Sequence, residues 1–574
     1  MSTLLEVSGL NVRFPDTGVL AVRDASWQVP AGEVLGLVGE SGSGKSATGL
    51  AVLGLHGPEA VLSGSIRFNG EELLGAPEAR LRELRGSEIS MIFQDALDSL
   101  NPFRSVGAQV AEAYRLHHPV RKAVAKQRAV EMLDRVGIAE PHRRAKDYPH
   151  QFSGGMRQRV MIAAALINEP SLLIADEPTT ALDSTVQAQV LELLADLQRE
   201  MGMAVVLVTH DFGVVQEVCT NIAVMYRGRV VETGNTRQVL QDGRHPYTRA
   251  LVASVPTMQD EPGGTLPTVR EVVTSLVGPI DDEALADPDL RIPEGREYES
   301  GLQPDDALTT VVDGALLLSV RDLSVTFPGG LGKPARDAVQ GVSFDIAVGE
   351  SFGLVGESGS GKSTISRVVT GLQAATTGQV RFDGAELSGM SRRSLSRRIQ
   401  LVFQDPYASL NPDRTIGDAV GAPLTVAADG TPALSRAELR RRVEGLLTEV
   451  GLDPELADAY PDQLSGGMRQ RAGIARALSV EPALLVADEP VSALDVSVQA
   501  QVLNLLVELR RKRGLALLFI SHDLTVVRHM CSRIAVLASG SIVEIGDSAD
   551  VLGTPQSEHT RALLAAAPDL ERVG

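Results

Sequence analysis

The chain has 574 residues, of which 43% are hydrophobic and 22% charged, and it carries a formal net charge of −19. That length exceeds what one core of about 100–200 residues usually takes, so about two to four soluble domains are expected. No apolar run approaches the roughly 20 residues that span a bilayer, and the acidic balance disfavours a nucleic-acid binder, which needs a basic face.

Met1–Leu10 has neither a basic start nor a long apolar stretch, so a secretory signal is not expected and any membrane role should come through a partner. The run Val34–Val38 has the length and composition of a buried parallel strand. Gly39-Glu-Ser41-Gly42-Ser-Gly44-Lys45-Ser46 follows it, matching the phosphate-loop pattern GxxxxGK[ST], and a helix-like segment comes next. Glycines let backbone N–H groups wrap phosphate oxygens, and the helix N-terminus adds positive potential. Lys45 is placed to reach the outer phosphates of ATP, and the Ser46 hydroxyl to ligate Mg²⁺. Farther on, Leu172-Leu-Ile-Ala-Asp176-Glu177 is an apolar strand ending in two carboxylates. In open α/β sheets ligands bind at that strand end. Asp176 suits a Mg²⁺ role, largely through water, and Glu177 suits polarisation of an attacking water.

All of this happens twice. VGESGSGKS recurs at Val355–Ser363, SGGMRQR at Ser153–Arg159 and Ser465–Arg471, ADEP at Ala175–Pro178 and Ala487–Pro490, and VQAQVL at Val186–Leu191 and Val498–Leu503. The chain therefore reads as two copies of one domain, residues 1–256 and 315–574. In the second copy Gly356, Ser358, Gly359, Gly361, Lys362, Ser363 and Thr364 form the phosphate loop, and Asp488 and Glu489 end the acidic strand. Between the copies, Thr257–Gly314 holds 14 acidic and 3 basic residues and is rich in Pro and Gly. This composition predicts an extended acidic linker with little regular structure. Cys219 and Cys531 stand alone at matching places in apolar segments, as small core residues do.

Ser153-Gly154-Gly155-Met-Arg-Gln and Ser465-Gly466-Gly467-Met-Arg-Gln resemble the signature of the ATP-binding cassette (ABC) ATPases, which other phosphate-loop proteins lack. Gln94 and Gln404, each in Phe-Gln-Asp, resemble the family's Q-loop. Ala181-Leu-Asp183 and Ala493-Leu-Asp495 resemble its D-loop. His210 and His522, each after an apolar strand, resemble its switch histidine. The resemblance implies an α/β fold of two tandem P-loop NTPase domains, each with a helical subdomain, here about Gln94–Phe152 with an amphipathic helix near Arg121–Val136. It implies that the copies pair head to tail around two ATP molecules. One site would use Lys45, Ser46, Gln94, Asp176, Glu177 and His210 with Ser465, Gly466 and Gly467. The other would use Lys362, Ser363, Gln404, Asp488, Glu489 and His522 with Ser153, Gly154 and Gly155. Gln94 and Gln404 join the Mg²⁺ ligands by the same resemblance, and Phe14 and Phe327 are the aromatics expected to stack on adenine.

Ser99-Leu-Asn-Pro102 and Ser409-Leu-Asn-Pro412, the signature methionines Met156 and Met468, and His245-Pro-Tyr-Thr-Arg-Ala-Leu251 are similar to the peptide/nickel importer branch of that family. The branch implies two transmembrane permease subunits, an extracytoplasmic substrate-binding protein, a seat on the cytoplasmic face of the plasma (inner) membrane, and one ATPase chain per transporter. The second copy has Ser557-Glu-His-Thr560 in place of His-Pro-Tyr-Thr, a degenerate extension. The cysteine cluster that holds iron–sulfur in some relatives is absent, so no such cluster is expected. Copy one has Ala96 where copy two has Pro406. The competing reading is a soluble tandem ABC ATPase acting on ribosomes or nucleic acid. The ribosome-acting kind has a basic helical linker and the DNA-repair kind has zinc modules, and neither fits this chain.

Overall fold

The computed structural model describes residues 3–94, 99–179, 182–293, 295–298, 315–329, 335–425, 434–492, 494–567 and 570. Ala96, Ala181, Ala493 and the linker beyond residue 298 lie outside the described residues, as does the side chain of Pro406.

In the first cassette the strands are β1 (Thr3–Phe14), β2 (Val19–Pro30), β3 (Val34–Val38), β4 (Val61–Phe68), β5 (Glu71–Glu72), β6 (Ile89–Ile92), β7 (Leu172–Asp176), β8 (Ala204–Thr209), β9 (Asn221–Tyr226) and β10 (Arg229–Asn235). They form an antiparallel sheet in the order β2-β1-β4-β5 and a six-stranded sheet in the order β10-β9-β3-β8-β7-β6. The second cassette repeats this with β11 (Leu316–Phe327), β12 (Arg336–Ala347), β13 (Ser351–Gly356), β14 (Thr377–Phe382), β15 (Ala385–Glu386), β16 (Ile399–Val402), β17 (Leu484–Asp488), β18 (Ala516–Ser521), β19 (Arg533–Ala538) and β20 (Ser541–Asp547). Its sheets run β12-β11-β14-β15 and β16-β17-β18-β13-β19-β20.

Strands β3, β7 and β8 are buried along their whole length. Unbroken apolar runs are what a parallel strand covered on both faces requires. One apolar cluster fills the space between the two sheets, and a second covers the other face and continues into the helical subdomain. That subdomain contains helices Val106–His117 and Lys122–Arg135, the latter one residue inside the expected bounds at each end. The register decides where the chemistry goes: Val38 lies beside Thr209, Asp176 beside Val208, and Ile92 beside Ala175. The phosphate loop, the acid pair, His210 and Gln94 thus all leave the sheet at one edge, the carboxyl ends of its parallel strands.

The acidic segment differs from expectation. Val269–Val277 is a helix whose capping box pairs Thr268 with Glu271 and whose Val272, Val273 and Leu276 are buried. Asp282–Leu285 forms a further turn, with Glu283 3.1 Å from Arg23 and 3.5 Å from Arg229, and Asp282 paired with Arg227. Composition hid the apolar positions at helical spacing, and two of the acids, Asp282 and Glu283, pair with first-cassette arginines. Upstream of that helix the chain clips onto the second cassette. Leu266 is buried in its core, its N–H donates to Asn504 Oδ1 and its carbonyl accepts from Asn504 Nδ2, both at 2.8 Å. Gly263 N–H donates to His529 O at 2.6 Å. In the reverse direction, helix Glu558–Ala566 of the second cassette packs on Ser184–Met201 of the first, and Leu570 is buried in the first cassette's core.

The degenerate extension of copy two still folds as a helix, because Ser557 caps it by accepting from His559 N–H where His245 does so for Tyr247 in copy one. Both cysteines are free and buried, and burial pushes their thiols up to about 12.

Candidate functional site

Glycine is required at the turn out of β3. Gly39 has φ +147°, and a Cβ there would stand 2.2 Å from Met225 O; Gly356 repeats this with φ +149° against Leu537 O. The loop so formed folds around its own lysine. Lys45 Nζ donates to Gly39 O at 2.7 Å and Glu40 O at 2.9 Å, and Lys362 Nζ to Gly356 O at 2.6 Å and Glu357 O at 2.8 Å. Burial lowers the pKa of both ammonium groups, and the nearby carboxylates Asp495, Glu177 and Asp176 for Lys45, and Glu489, Asp488 and Asp183 for Lys362, act against that fall. A buried cation hydrogen-bonded to carbonyl oxygens, with carboxylates near it but, among the described residues, none bonded to it, is a strong receptor for phosphate charge.

Ser46 Oγ donates to Asp176 Oδ1 at 3.1 Å and Ser363 Oγ to Asp488 Oδ1 at 3.3 Å. Burial raises the pKa of both aspartates, with the serine hydrogen bonds opposing it. One hydroxyl beside one carboxylate is a hard oxygen set with few protein ligands, which fits Mg²⁺, an ion that keeps several waters and binds through substrate phosphates. Among the described residues there is no group of three or more His, Cys, Asp or Glu that could cage a metal, in keeping with so sparse a site. The second site holds its aspartate more firmly, since Ser366 Oγ also donates to Asp488 Oδ2 at 3.0 Å where the first cassette has Gly49.

Glu177 and Glu489 adopt left-handed backbone, φ +47° and +49°. A non-glycine residue there costs about 1–3 kcal/mol, and such strain concentrates at functional sites. The turn takes each carboxylate off the strand line to meet two partners. Gln94 Nε2 donates to Glu177 Oε2 at 2.9 Å and His210 Nδ1 lies 3.2 Å from Oε1; Gln404 and His522 reach Glu489 at 2.7 and 3.4 Å. For each histidine burial pulls the pKa down, but the hydrogen bond and charge of the glutamate outweigh it and the net shift is upward. Glu489 is correspondingly lowered: burial raises it, and His522 more than offsets that. Glu489 is thus an ionised base held between an amide and an imidazole, and Glu177 sits between the same two kinds of group.

The two cassettes meet over these groups. Ser41 N–H of the first phosphate loop donates to Asp495 Oδ1 at 2.7 Å, and Ser358 N–H of the second to Asp183 Oδ2 at 3.3 Å. Ser184 Oγ also donates to His522 O at 3.1 Å. A cavity of about 670 Å³ takes its walls from both halves, with Lys362, Gln404 and Gly466 on one side and Glu177, Asp183 and His210 on the other. Ser153 and Ser465 cap their own helices, each accepting from the N–H of the methionine three residues on. Gly155 and Gly467 pack against Val186 and Val498, where a Cβ would come within 2.3 and 2.2 Å of a methyl carbon.

Phe327 lines the shared cavity. Phe14 instead sets its ring edge-on to His56, 5.9 Å between centroids, and is half buried. Asp183 and Asp495, legible in the sequence only as part of a motif, each bridge to the phosphate loop of the other half. Their role depends on how two domains sit together, which no stretch of sequence displays.

The ABC transporter family model matches residues 22–180 and 339–492, and the model of the oligopeptide/dipeptide transporter C-terminal region matches residues 231–278. The oligopeptide transport ATP-binding protein OppD of Mycobacterium tuberculosis is 43% identical over 609 residues, covering 99% of this chain and 99% of that protein. The glutathione import ATP-binding protein GsiA of Salmonella typhimurium is 45% identical over 582 residues, covering 98% of this chain and 89% of the relative. GsiA of Escherichia coli O6:H1 is 45% identical over 585 residues, covering 99% and 90%.

Proposed function

This chain belongs to the ABC transporter family, and on that premise we propose that it is the ATP-hydrolysing subunit of an importer, taking up peptides or peptide-like compounds. The observation that carries the proposal is the reciprocal bridge of Asp495 to Ser41 and Asp183 to Ser358. It brings each phosphate loop against the other cassette, so that two ATP sites are shared between the halves of one chain. Lys45 or Lys362 binds the outer phosphates; Glu177 or Glu489 orients the attacking water and takes its proton; His210 or His522 stabilises that carboxylate; and the signature of the opposite cassette, Ser465–Gly467 or Ser153–Gly155, completes each site. Mg²⁺ would be held by Ser46 and Asp176, and by Ser363 and Asp488, with Gln94 and Gln404 alongside, and would neutralise charge developing on the transferred phosphoryl group. Phe327 stacks on adenine, whereas the ring of Phe14 rests edge-on against His56 and is not assigned that role.

Among the described residues no helix is long and apolar enough to cross a membrane, so the substrate path belongs to partner proteins. The reading places the chain on the cytoplasmic face of the membrane, beneath two permease subunits served by an extracytoplasmic binding protein. Phe103 supports this: it stands 88% exposed directly after Ser99-Leu-Asn-Pro102, beside the Gln94 loop. A large exposed aromatic near a catalytic loop is what a docking surface presents. ATP then closes the cassettes and hydrolysis releases them, a two-state switch biased by ligand. The test is co-expression with two permease subunits and mass measurement of the solubilised complex. One ATPase chain per two permeases supports the proposal; two ATPase chains, or no association with any membrane protein, overturns it.

A further inference from the structure

The two cassettes differ in how the signature helix is tied to the segment after the catalytic glutamine. In the second cassette helix Gly466–Leu478 carries Arg469 and Arg476, seven residues apart and so about two turns along one face. The Arg469 guanidinium lies 3.8 Å from the centroid of the Tyr407 ring, and that of Arg476 lies 5.7 Å from the Phe403 ring while its Nη1 donates to Ser409 O. Arg469 is 5% exposed and is fixed from behind: Nε donates to Pro461 O and Nη2 to Asp462 O, whereas Nη1 has no hydrogen-bond partner. Its remaining interaction is with the ring face. Gly473, on the same helix, brings the backbone close enough that a Cβ would sit 3.8 Å from Ser409 Oγ. In the first cassette Leu97 stands in place of Tyr407 and Ala164 in place of Arg476, so one grip lacks its ring and the other its guanidinium.

We infer that Arg469 and Arg476 clamp residues 403–409 to the signature helix in the second cassette, making them positioning residues that pass movement near Gln404 to Ser465–Gly467. On the reading of composite sites given above, on which this rests, that signature completes the Lys45 site. The clamp therefore couples the Lys45 site to whatever contacts the second cassette's glutamine loop, and the first cassette's sequence lacks the tyrosine and the arginine that would give the Lys362 site the same linkage. Cation–π contact is the right kind of tie for this work. It survives sliding of a guanidinium over a ring, so it keeps two segments together while their relative angle changes.

The full chain tests this with Tyr407→Leu and Arg476→Ala, which install the first cassette's residues, and Tyr407→Phe, which keeps the ring. Hydrogen exchange should show amides of residues 404, 405, 407–409 and 467–470 exchanging about three- to fivefold faster in the first two variants, the factor expected for loss of a cation–π contact whose ring is exposed. Tyr407→Phe should match wild type, and residues 155–158 should be unchanged in all three. Unaltered exchange in Tyr407→Leu, or equal acceleration in Tyr407→Phe, would overturn the clamp; should Arg476→Ala unfold, the Tyr407 pair decides alone. In the complex with permeases, Tyr407→Leu should lose about the same factor of permease-stimulated ATPase while the free chain's rate stays within about twofold. Full stimulation in that variant would overturn the coupling. Absence of stimulation in the wild type would instead sink the transporter reading, and the exchange rates would still settle the clamp.

Discussion

Removing Asp495 should harm ATP turnover more than removing Asp183, while removing Asp183 should harm folding more. The two carboxylates occupy matching places but divide their oxygens differently. Asp183 Oδ1 caps its own helix by accepting from Val186 N–H at 3.0 Å, leaving Oδ2 for Ser358 N–H at 3.3 Å. Asp495 makes no side-chain cap to its helix and accepts from Ser41 N–H at 2.7 Å. A hydrogen bond to a charged group is worth about 1.5–3 kcal/mol, so Asp495→Ala should weaken closure of the cassettes by roughly 10- to 100-fold. The longer Ser358 contact should lie near the bottom of that range. Loss of a helix cap costs about 0.5–2 kcal/mol, so Asp183→Ala alone should lower the melting temperature measurably. Steady-state ATPase, read as kcat/KM for ATP, and thermal unfolding of each variant separate the two effects. Equal kcat/KM losses with equal melting temperatures would refute the division of labour, and kcat/KM within twofold of wild type in Asp495→Ala would refute the cross-cassette bridge itself.

Lys45→Ala with Lys362→Ala should leave less than about a tenth of wild-type ATPase, because charge on the outer phosphates goes unneutralised; a higher residual rate in the purified double variant counts against the site. Ser366→Gly should loosen Asp488, which keeps only Ser363, and raise the Mg²⁺ concentration for half-maximal ATPase a few-fold, about the worth of one hydrogen bond to a charged group; an unchanged Mg²⁺ dependence would show that the hydroxyl is idle. The His–Glu pairs set a pH window. His210 and His522 have raised pKa values, so their stabilisation is fully present below the ordinary histidine range and fades as pH rises through the shifted values; that of Glu489, whose pKa is lowered, fades as pH falls below the carboxylate range. The melting-temperature gap between wild type and His210→Ala/His522→Ala should therefore be wider at pH 6 than at pH 9, and a gap that widens upward in pH contradicts the pairing. Asn504→Ala removes both bonds to Leu266 and should cost on the order of 1–3 kcal/mol, since it leaves partly buried backbone groups unpaired; limited proteolysis between residues 257 and 268 should quicken, and unchanged cleavage would show that the clip does not hold.

Much of this was legible because the chemistry is local. Val34–Val38 followed by glycines and Lys45, and Leu172–Ala175 followed by Asp176 and Glu177, announce strand, turn and role in consecutive residues, and the repeat shows each twice. What sequence concealed is what depends on distant partners. Asp183 and Asp495 act on loops 175 and 454 residues away. Arg476 and Ser409 are 67 residues apart. The acidic stretch after Thr257 departs from its composition because charge counts average over position. Val272, Val273 and Leu276 lie on one buried face, while Asp282 and Glu283 answer arginines that a count of the segment alone leaves out. Phe14 and Phe327 occupy equivalent places in sequence, yet the ring of Phe14 is taken up by His56, a contact between strand end and loop that spacing does not encode.

The central claim is that one chain supplies both halves of two ATP sites. Native mass measurement of the Glu177→Gln/Glu489→Gln chain in Mg-ATP tests it most directly, since these substitutions remove the base yet leave both phosphate loops intact. The account predicts a single 60.9 kDa chain retaining two nucleotides. A pair of chains assembled around the nucleotides, or a single chain that retains fewer than two, would contradict it.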